Sequence, residues 1–271
     1  MKNLQNLHTH CKYCDGADST EEMVLAAIEK GFDSIGFSCH SPMVFSPTAG
    51  VSPTGILLYR ESVALLKKKY ADRIKIYCGL EVEMLSAPPM DGYDYLIGSV
   101  HYFKFGDKYV GFDRDAKTVK KVIDDHFDGD GMKYAVAYYD FLSQLPEYGN
   151  FDIIGHFDLV TKHCEKTDYF DVESKTYRDA ALSAVHALKG KIPFFEVNTG
   201  AISRNYRTTP YPQKFILKEL KSQGFGAIIS SDCHNKNHLD CNFEQAREML
   251  AECGFTEKYI LTDSGFCAVE L

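Results

Sequence analysis

The sequence has no apolar run as long as a membrane-spanning helix requires. Such a helix needs about 18 consecutive apolar residues, and no stretch of the 271 residues provides them. Residues 1–5 are not followed by the apolar segment of a secretory signal peptide. We therefore expect no membrane partner and a cytoplasmic location.

Positive charge is also scarce. The formal net charge is −8 and the pI is about 5.7, and no basic stripe of the kind that follows a nucleic-acid backbone is present. These features argue against a nucleic-acid partner. A small anionic substrate remains compatible with them, because bound metals can reverse the local charge. The sequence does not indicate an oligomeric state.

The nine cysteines form no framework of paired motifs. Cys11 and Cys14 have the CxxC spacing of a zinc or redox site, but no second CxxC accompanies them. Cys39 and Cys233 each precede a histidine, and their side chains are expected to point into the core. We interpret the thiols mostly as small buried hydrophobic groups, and a functional thiol is the alternative.

Short apolar runs alternate with longer segments of helical periodicity, which predicts parallel strands in an α/β fold. The predicted strands are residues 3–7, 32–37, 74–78, 95–99, 152–154, 192–197 and 227–230, with a short final strand at 259–261. The predicted helices are residues 21–30, 59–70, 133–145, 175–188, 212–223 and 245–253. We interpret residues 1–271 as one domain, with an insertion at 103–150 over the functional face.

Residues that bind metals follow almost every predicted strand. They are His8 and His10, His40, Glu81 and Glu83, His101, His156, Glu196 and Asn198, and Asp232 and His234. Because the carboxyl ends of parallel strands share one face, these side chains should converge there. In an extended strand, residues two apart point to the same side, so His8 and His10 can reach one ion. The pattern predicts a divalent-metal site, whereas His126, His186 and His238 lie elsewhere.

Other polar residues near the strand ends are candidates for binding a substrate. Arg204 and Arg207 follow the sixth predicted strand, and their planar guanidinium groups suit phosphate oxygens. Lys162 and His163 are weaker candidates. Four acidic or amide side chains could contact the rest of a substrate, namely Glu83, Asp113, Asp158 and Asn198. Alternatively, they could form hydrogen bonds that orient the metal-binding imidazoles.

Several of these motifs resemble, in order, those of the PHP superfamily (polymerase and histidinol phosphatase). They are His8-Thr9-His10 and the segments 36–40, 79–83, 98–101, 155–158 and 230–234. The resemblance runs from residue 8 to residue 234. Segments 98–103 and 155–160, together with the long insertion, are most similar to the histidinol-phosphate phosphatase branch.

The resemblance implies a distorted (β/α)7, TIM-like barrel with three divalent metals at the carboxyl ends of its strands. One metal would be held by His8, His10, Glu81 and Asp232. A second would be held by Glu81, as a bridge, with His101 and His156, and a third by His40, His234 and Asp15. Mixed nitrogen and oxygen ligands suit zinc, manganese or iron.

Two positions depart from the family pattern. Many members have histidine where this chain has Asp15, which is a competent ligand but would alter metal preference or occupancy. The motif after the second strand often reads Asp-His, and here it reads Cys39-His40.

The activity implied by the resemblance is hydrolysis of L-histidinol phosphate to L-histidinol and phosphate, a step of histidine biosynthesis. Water activated by the metals would attack phosphorus in line while Arg204 neutralises the phosphoryl oxygens. Asp15 or His234, if free of metal, could protonate the leaving oxygen. The alternatives are a phosphoesterase of the superfamily acting on nucleotides or another phosphate ester, an amidohydrolase-type C–N hydrolase, and a metal domain without catalysis.

Overall fold

The structure is a computed structural model and describes residues 3–271. Its strands are β1 (Gln5–Asn6), β2 (Ser34–Phe37), β3 (Lys75–Glu83), β4 (Tyr95–Ser99), β5 (Tyr102–Phe105), β6 (Lys108–Gly111), β7 (Ile153–Ile154), β8 (Phe194–Asn198), β9 (Gly226–Ser230), β10 (Glu257–Thr262) and β11 (Gly265–Glu270). Its helices are α1 (Thr20–Glu29), α2 (Gly55–Lys69), α3 (Ala116–His126), α4 (Gly131–Leu142), α5 (Lys175–Leu188), α6 (Gly200–Ser203), α7 (Lys214–Ser222) and α8 (Phe243–Glu252).

Seven parallel strands form a nearly closed barrel. Their order is β1-β2-β3-β4-β7-β8-β9, and each pairs in parallel with its neighbours. Beyond the ends of β1 and β9, Thr9 and Cys233 form a parallel bridge, and the His10 backbone N–H donates to the Cys233 carbonyl at 2.9 Å. This arrangement confirms the predicted (β/α)7 barrel.

The C-terminal hairpin packs against one end of the barrel interior. Leu261 of β10 belongs to a buried apolar cluster with residues of four barrel strands and the residue that follows β1, namely Leu7, Tyr77, Tyr95, Ile97, Ile153 and Ile228. The Gln5 side chain donates to the Leu261 carbonyl at 2.9 Å and accepts from its backbone N–H at 2.7 Å. The hairpin therefore covers the end of the barrel where the strands begin.

Most predicted elements are present with shifted ends, and three differences matter. The third strand continues to Glu83, whereas the prediction ended it at residue 78, so Glu81 and Glu83 lie inside β3. The insertion contains a hairpin of β5 and β6 and helix α3 besides the predicted helix, which is α4. The final short strand pairs with β11, which the sequence analysis missed.

The insertion leaves the barrel directly after His101. The hairpin of β5 and β6 comes back to this point at Phe112, whose backbone N–H donates to the His101 carbonyl at 3.1 Å. The insertion's own core is aromatic, since Phe103 packs near Phe127 and Tyr134 as well as Phe112. Residues of the insertion and of the barrel share one buried apolar cluster, which favours the single domain that the sequence predicts.

Two cysteines agree with a further expectation. Cys39 and Cys233 are buried in the main apolar cluster, as predicted. Between residues 3 and 271, no helix has the length and apolar character that crossing a bilayer demands.

Tyr95 ties the strands that carry the first histidines to the barrel. Its hydroxyl donates to the carbonyls of Leu7 and of Phe37, the latter at 3.0 Å, and its ring lies against Gly36 and Gly79. A side chain on either glycine would meet the tyrosine ring or hydroxyl at less than 3 Å. The absence of side chains at these glycines is therefore what allows Tyr95 to fit.

We expect Tyr95→Phe to lower the free energy of unfolding by about 1–3 kcal/mol, because two buried carbonyls lose their donor. The matched control is Tyr109→Phe, since Tyr109 is partly exposed and stacks on Phe45 through its ring alone. Urea unfolding of both variants measures the difference. Equal stabilities would show that the Tyr95 hydroxyl contributes nothing.

Candidate metal centre

The carboxyl ends of the barrel strands bring nine histidine, aspartate and glutamate side chains together. His8 and His10 follow β1 and are fully buried. The extended backbone between them is fixed by Thr9, whose carbonyl accepts from the Ser38 backbone N–H at 3.0 Å. All nine residues predicted as ligands fall into three groups able to hold a metal, made by His8, His10, Asp15, His40, Glu81, His101, His156, Asp232 and His234.

The first group combines His8 and His10 with two carboxylates. The Nε2 atom of His8 lies 3.3 Å from Glu81 Oε2 and 3.7 Å from Asp232 Oδ1. The Nε2 atom of His10 lies 3.5 Å and 3.2 Å from the same two oxygens. Four ligands about 2.1 Å from a tetrahedral ion would be about 3.4 Å apart, from ordinary zinc–ligand distances. The spacing of these atoms therefore fits a divalent metal.

Unsatisfied polar atoms in this group also indicate a cation. Within the described chain, His8 Nε2 and His10 Nε2 are buried and have no hydrogen-bond partner. Leaving a buried polar atom unpaired costs about 1–3 kcal/mol. A metal between these atoms would satisfy both at once.

The second group lies on the other side of Glu81. Its Oε1 atom is 3.0 Å from His156 Nε2 and 3.5 Å from His101 Nε2, and the two Nε2 atoms are 3.2 Å apart. Since the other Glu81 oxygen faces the first group, one carboxylate can bridge two metals. The resemblance to PHP proteins implied this arrangement.

The third group is the most exposed. Asp15 Oδ2 lies 3.2 Å from His234 Nε2 and 3.7 Å from His40 Nε2. His10 also reaches this group, with its Nδ1 atom 3.7 Å from Asp15 Oδ1. The Asp15 side chain is 48% exposed, compared with 0% for His10.

The carboxylates control the protonation of the metal-free centre. Burial by itself lowers the pKa of His8, but the charges of Glu196, Glu81 and Asp232 together outweigh it and raise that pKa well above its usual value. In the same way, Glu81, Glu83 and Asp113 outweigh the effect of burial and raise the pKa of His101 to about 9. The centre therefore favours positive charge, whether carried by protons or by metal ions.

The two predicted phosphate-binding arginines have different surroundings. The Arg204 side chain, 30% exposed, reaches the centre, with Nη2 3.0 Å from Asp232 Oδ2 and Nη1 2.9 Å from His234 Nδ1. The Arg207 side chain is 4% exposed, lies 3.8 Å from Asp158 Oδ2 and stacks on Tyr211. These contacts favour a structural role for Arg207, and its substrate-binding role stays an untested prediction.

The other predicted substrate-binding residues are also engaged by protein groups. Glu83 accepts from the His101 backbone N–H at 2.8 Å and lies 3.1 Å from its Nδ1 atom. Asp158 accepts from the Gln213 backbone N–H at 3.0 Å and is buried. The Asn198 amide donates to Glu196 at 2.8 Å. Such contacts favour orienting roles, and direct contact of Glu83, Asp158 and Asn198 with a substrate stays a prediction.

Comparison with known protein families agrees with this centre. A family model described as PHP domain matches residues 6–200, more than half of the chain. The chain belongs to the PHP domain family. The matched segment includes seven of the nine ligand candidates, and Asp232 and His234 lie beyond it.

Several relatives of this PHP protein carry the name histidinol-phosphatase. A probable histidinol-phosphatase of Schizosaccharomyces pombe is 24% identical, over 92% of this chain and 86% of the relative. The histidinol-phosphatase of Bacillus subtilis is 24% identical, over 88% of this chain and 96% of the relative.

Two solved structures share the PHP fold described above. A putative histidinol phosphatase of Listeria monocytogenes has a TM-score of 0.76 and 21% identity, covering 89% of this chain and 98% of that one. Histidinol phosphate phosphatase of Lactococcus lactis, solved with zinc, L-histidinol and phosphate, has a TM-score of 0.74 and 20% identity, covering 98% and 99%.

Glu196 is a buried carboxylate that the sequence analysis counted among the metal-binding residue types at strand ends but did not assign to any of the three metals. It lies 2.9 Å from His8 Nδ1 and accepts from the His156 backbone N–H at 2.8 Å. It also accepts from the Ser230 hydroxyl and the Asn198 amide. By holding the proton of His8 on Nδ1, it leaves Nε2 free to face the first group. Its position at the end of the sixth predicted strand was the available signal.

We expect Glu196→Gln to weaken zinc binding about 10–100-fold, as for other partners of metal-binding histidines. The reason is that an amide no longer fixes the His8 tautomer by charge. Glu219→Gln is the matched control, because Glu219 pairs with His186 on the surface. Competition with a chromophoric chelator measures the affinity. Equal affinities of the two variants would contradict the orienting role.

We expect metal affinity to fall as the pH is lowered from about 9 to about 6.5. Because the pKa of His101 is raised to about 9, the metal-free protein carries a proton on this imidazole at neutral pH. That proton stabilises the folded metal-free protein, and the stabilisation is lost above pH 9. Metal binds the neutral imidazole and must displace that proton. Calorimetric titration in buffers of different ionisation enthalpy counts the protons released.

The surface variant His186→Ala, which leaves the centre intact, should release the same number of protons as the unaltered protein. Metal binding at pH 7 without any proton release would show that the centre is already deprotonated.

Proposed function

We propose that this PHP protein hydrolyses L-histidinol phosphate to L-histidinol and phosphate with divalent metals. The observation that carries the proposal is the convergence of three metal-ligand groups beside the Arg204 guanidinium. This combination suits a phosphomonoester, which brings two or more negative oxygens to one point. The names of the relatives support histidinol phosphate as the substrate.

When bound, divalent metals lower the pKa of coordinated water and neutralise negative charge on phosphoryl oxygens. Arg204 adds a fixed positive charge at the same place. Its guanidinium bonds to Asp232 through Nη2 and to the Asp232 carbonyl through Nη1 at 3.0 Å. These contacts orient the group, so that its remaining N–H bonds can hold a phosphoryl oxygen without loss of side-chain freedom.

The proton donor to the leaving oxygen was predicted as Asp15 or His234. Burial raises the pKa of Asp15, but its hydrogen bond to His234 and the charges of His40 and His10 outweigh burial and hold it well below its usual value. Burial and the charge of His10 lower the pKa of His234. An ionised carboxylate and a neutral imidazole are suited to bind metal. These directions favour the ligand role, and proton donation by either residue stays a prediction.

Asp113 is an acidic group beside the centre that a positively charged substrate could meet. It lies in the insertion, its side chain is 32% exposed, and it pairs with Lys162 Nζ at 3.2 Å. Its charge also acts on His101 of the centre. Histidinol carries an ammonium and an imidazole, so a carboxylate at this position would attract it more than a neutral sugar phosphate.

We expect metal-dependent phosphate release from histidinol phosphate, greater than from a nucleoside monophosphate or an aryl phosphate. Chelation should abolish the activity and manganese or zinc should restore it. His10→Ala, Glu81→Ala and Asp232→Ala should each abolish turnover, because His10 and Asp232 are ligand candidates of the first group and Glu81 faces both the first and the second group. Circular dichroism of the variants verifies the fold.

Each result of this assay has a definite meaning. Release from the aryl phosphate without preference for histidinol phosphate would keep the phosphatase and reject the substrate. Absence of release from every ester by metal-loaded protein would reject the phosphatase itself.

We expect Arg204→Ala to lower kcat/KM about 10–100-fold, the value of roughly 1.5–3 kcal/mol for a hydrogen bond to a charged group. Arg114→Ala is the matched control, because Arg114 is 83% exposed and pairs only with Asp115. Metal content must be measured in both variants, since Arg204 also contacts two ligands. Unchanged kcat/KM at equal metal content would remove Arg204 from the site.

A further inference from the structure

Three cysteine thiols form a cluster beneath the metal centre. The sulfur atoms of Cys11 and Cys39 are 3.3 Å apart, and both residues are fully buried. The Cys14 sulfur, which is partly buried, lies 3.5 Å from His10 Nδ1. All three are reduced in the structure. None belongs to the three ligand groups, so the proposed hydrolysis gives them no task.

The two buried thiols are joined through the backbone to two different ligands. Cys11 directly follows His10, and Cys39 directly precedes His40. The two segments already lie side by side, because the Ser38 backbone N–H donates to the Thr9 carbonyl and the Thr9 backbone N–H donates to the Ser38 hydroxyl oxygen. The Cys39 carbonyl also accepts from the Glu81 backbone N–H at 3.1 Å. Movement of either cysteine would therefore be transmitted to the centre.

We propose that Cys11 and Cys39 are an oxidation site, at which a hydroperoxide converts the thiol pair to a disulfide that disables the metal centre. One thiol is oxidised to a sulfenic acid while the hydroperoxide is reduced to an alcohol or water. The second thiol attacks the sulfenic sulfur, forms the S–S bond and releases water. A dithiol reductant reverses the reaction by thiol–disulfide exchange.

The geometry explains why the bond would form here and why it would matter. A disulfide has an S–S length of about 2.05 Å, so the two sulfurs must approach by roughly 1.2 Å. Metal–ligand distances tolerate only about 0.2 Å of change. Side-chain rotation supplies part of that approach, and the part taken up by the backbones of Cys11 and Cys39 would displace the adjoining His10 and His40 imidazoles and weaken metal binding.

An oxidant can reach the cluster from the open side of the centre. Asp15, which is 48% exposed, and the partly buried Cys14 lie in the loop that follows Cys11. In the described structure, the buried cysteines outside this cluster, Cys78, Cys233 and Cys253, have no thiol partner, whereas Cys39 contacts both Cys11 and Cys14. Oxidation should therefore be selective for this cluster, and we assign the disulfide to Cys11 and Cys39, which are both fully buried with their sulfur atoms 3.3 Å apart.

The test treats the metal-loaded protein with hydrogen peroxide, blocks free thiols after denaturation and maps disulfides by peptide mass spectrometry. We expect a peptide linked through Cys11 and Cys39, together with loss of about tenfold or more in metal affinity. Dithiothreitol with added zinc should restore the metal content. The proposal rests on the metal centre of the proposed function. Disulfide mapping and metal content are measured without any substrate, so a failure of this proposal can be distinguished from a failure of the proposed phosphatase activity.

Two variants make the test specific. Cys39→Ser should form no linked peptide and should retain metal under peroxide, and Cys11→Ser should behave in the same way if Cys39→Ser does not fold. Cys267→Ser removes an exposed thiol on β11 and should respond like the unaltered protein. The proposal is overturned if Cys11 and Cys39 remain free thiols while other cysteines oxidise, or if they link without any change in metal content.

Discussion

The buried carboxylate of Glu81 is the group on which the rest of the site depends. Its side chain is 1% exposed, yet five imidazoles face it at 2.7–3.5 Å, those of His8, His10, His40, His101 and His156. A charged group buried in this way is costly unless positive charge surrounds it. Protonated histidines can supply that charge without metal, and metal ions supply it with neutral histidines. The buried negative charge of Glu81 is therefore the reason why the centre favours the binding of cations.

The barrel is what allows one carboxylate to meet five histidines. The imidazoles come from the ends of four different strands, and only a nearly closed ring of parallel strands brings those ends to one place. Two buried groups fix these strand ends in position. The Tyr95 hydroxyl donates to the carbonyls of Leu7 and Phe37. The Glu196 carboxylate bonds to the His8 imidazole and to the His156 backbone N–H. Such support matters because ligand atoms must be held within a few tenths of an ångström.

The sequence predicts those parts that depend on local periodicity and on the order of strands. The polar residues at the ends of seven predicted strands included eight of the nine ligand candidates, because parallel strands share one functional end. The ninth, Asp15, came from the resemblance to the PHP superfamily. What it could not predict depends on contacts between distant segments. Helix α3 and the hairpin of β5 and β6 were missed because aromatic packing around Phe103, between separate segments of the insertion, stabilises them. Glu196 looked like a ligand, and only the structure shows it bonded to His8 Nδ1.

The third ligand group differs from the other two in a way that bears on function. Its side chains are 48%, 18% and 25% exposed for Asp15, His40 and His234, whereas those of the first group are at most 8% exposed. Water competes better for a metal at exposed ligands, so this group should bind its ion least tightly. Both departures from the family motifs, Asp15 and Cys39, fall in or beside this group. The two positions at which this chain departs from the expected motifs therefore lie at the metal position that the barrel encloses least.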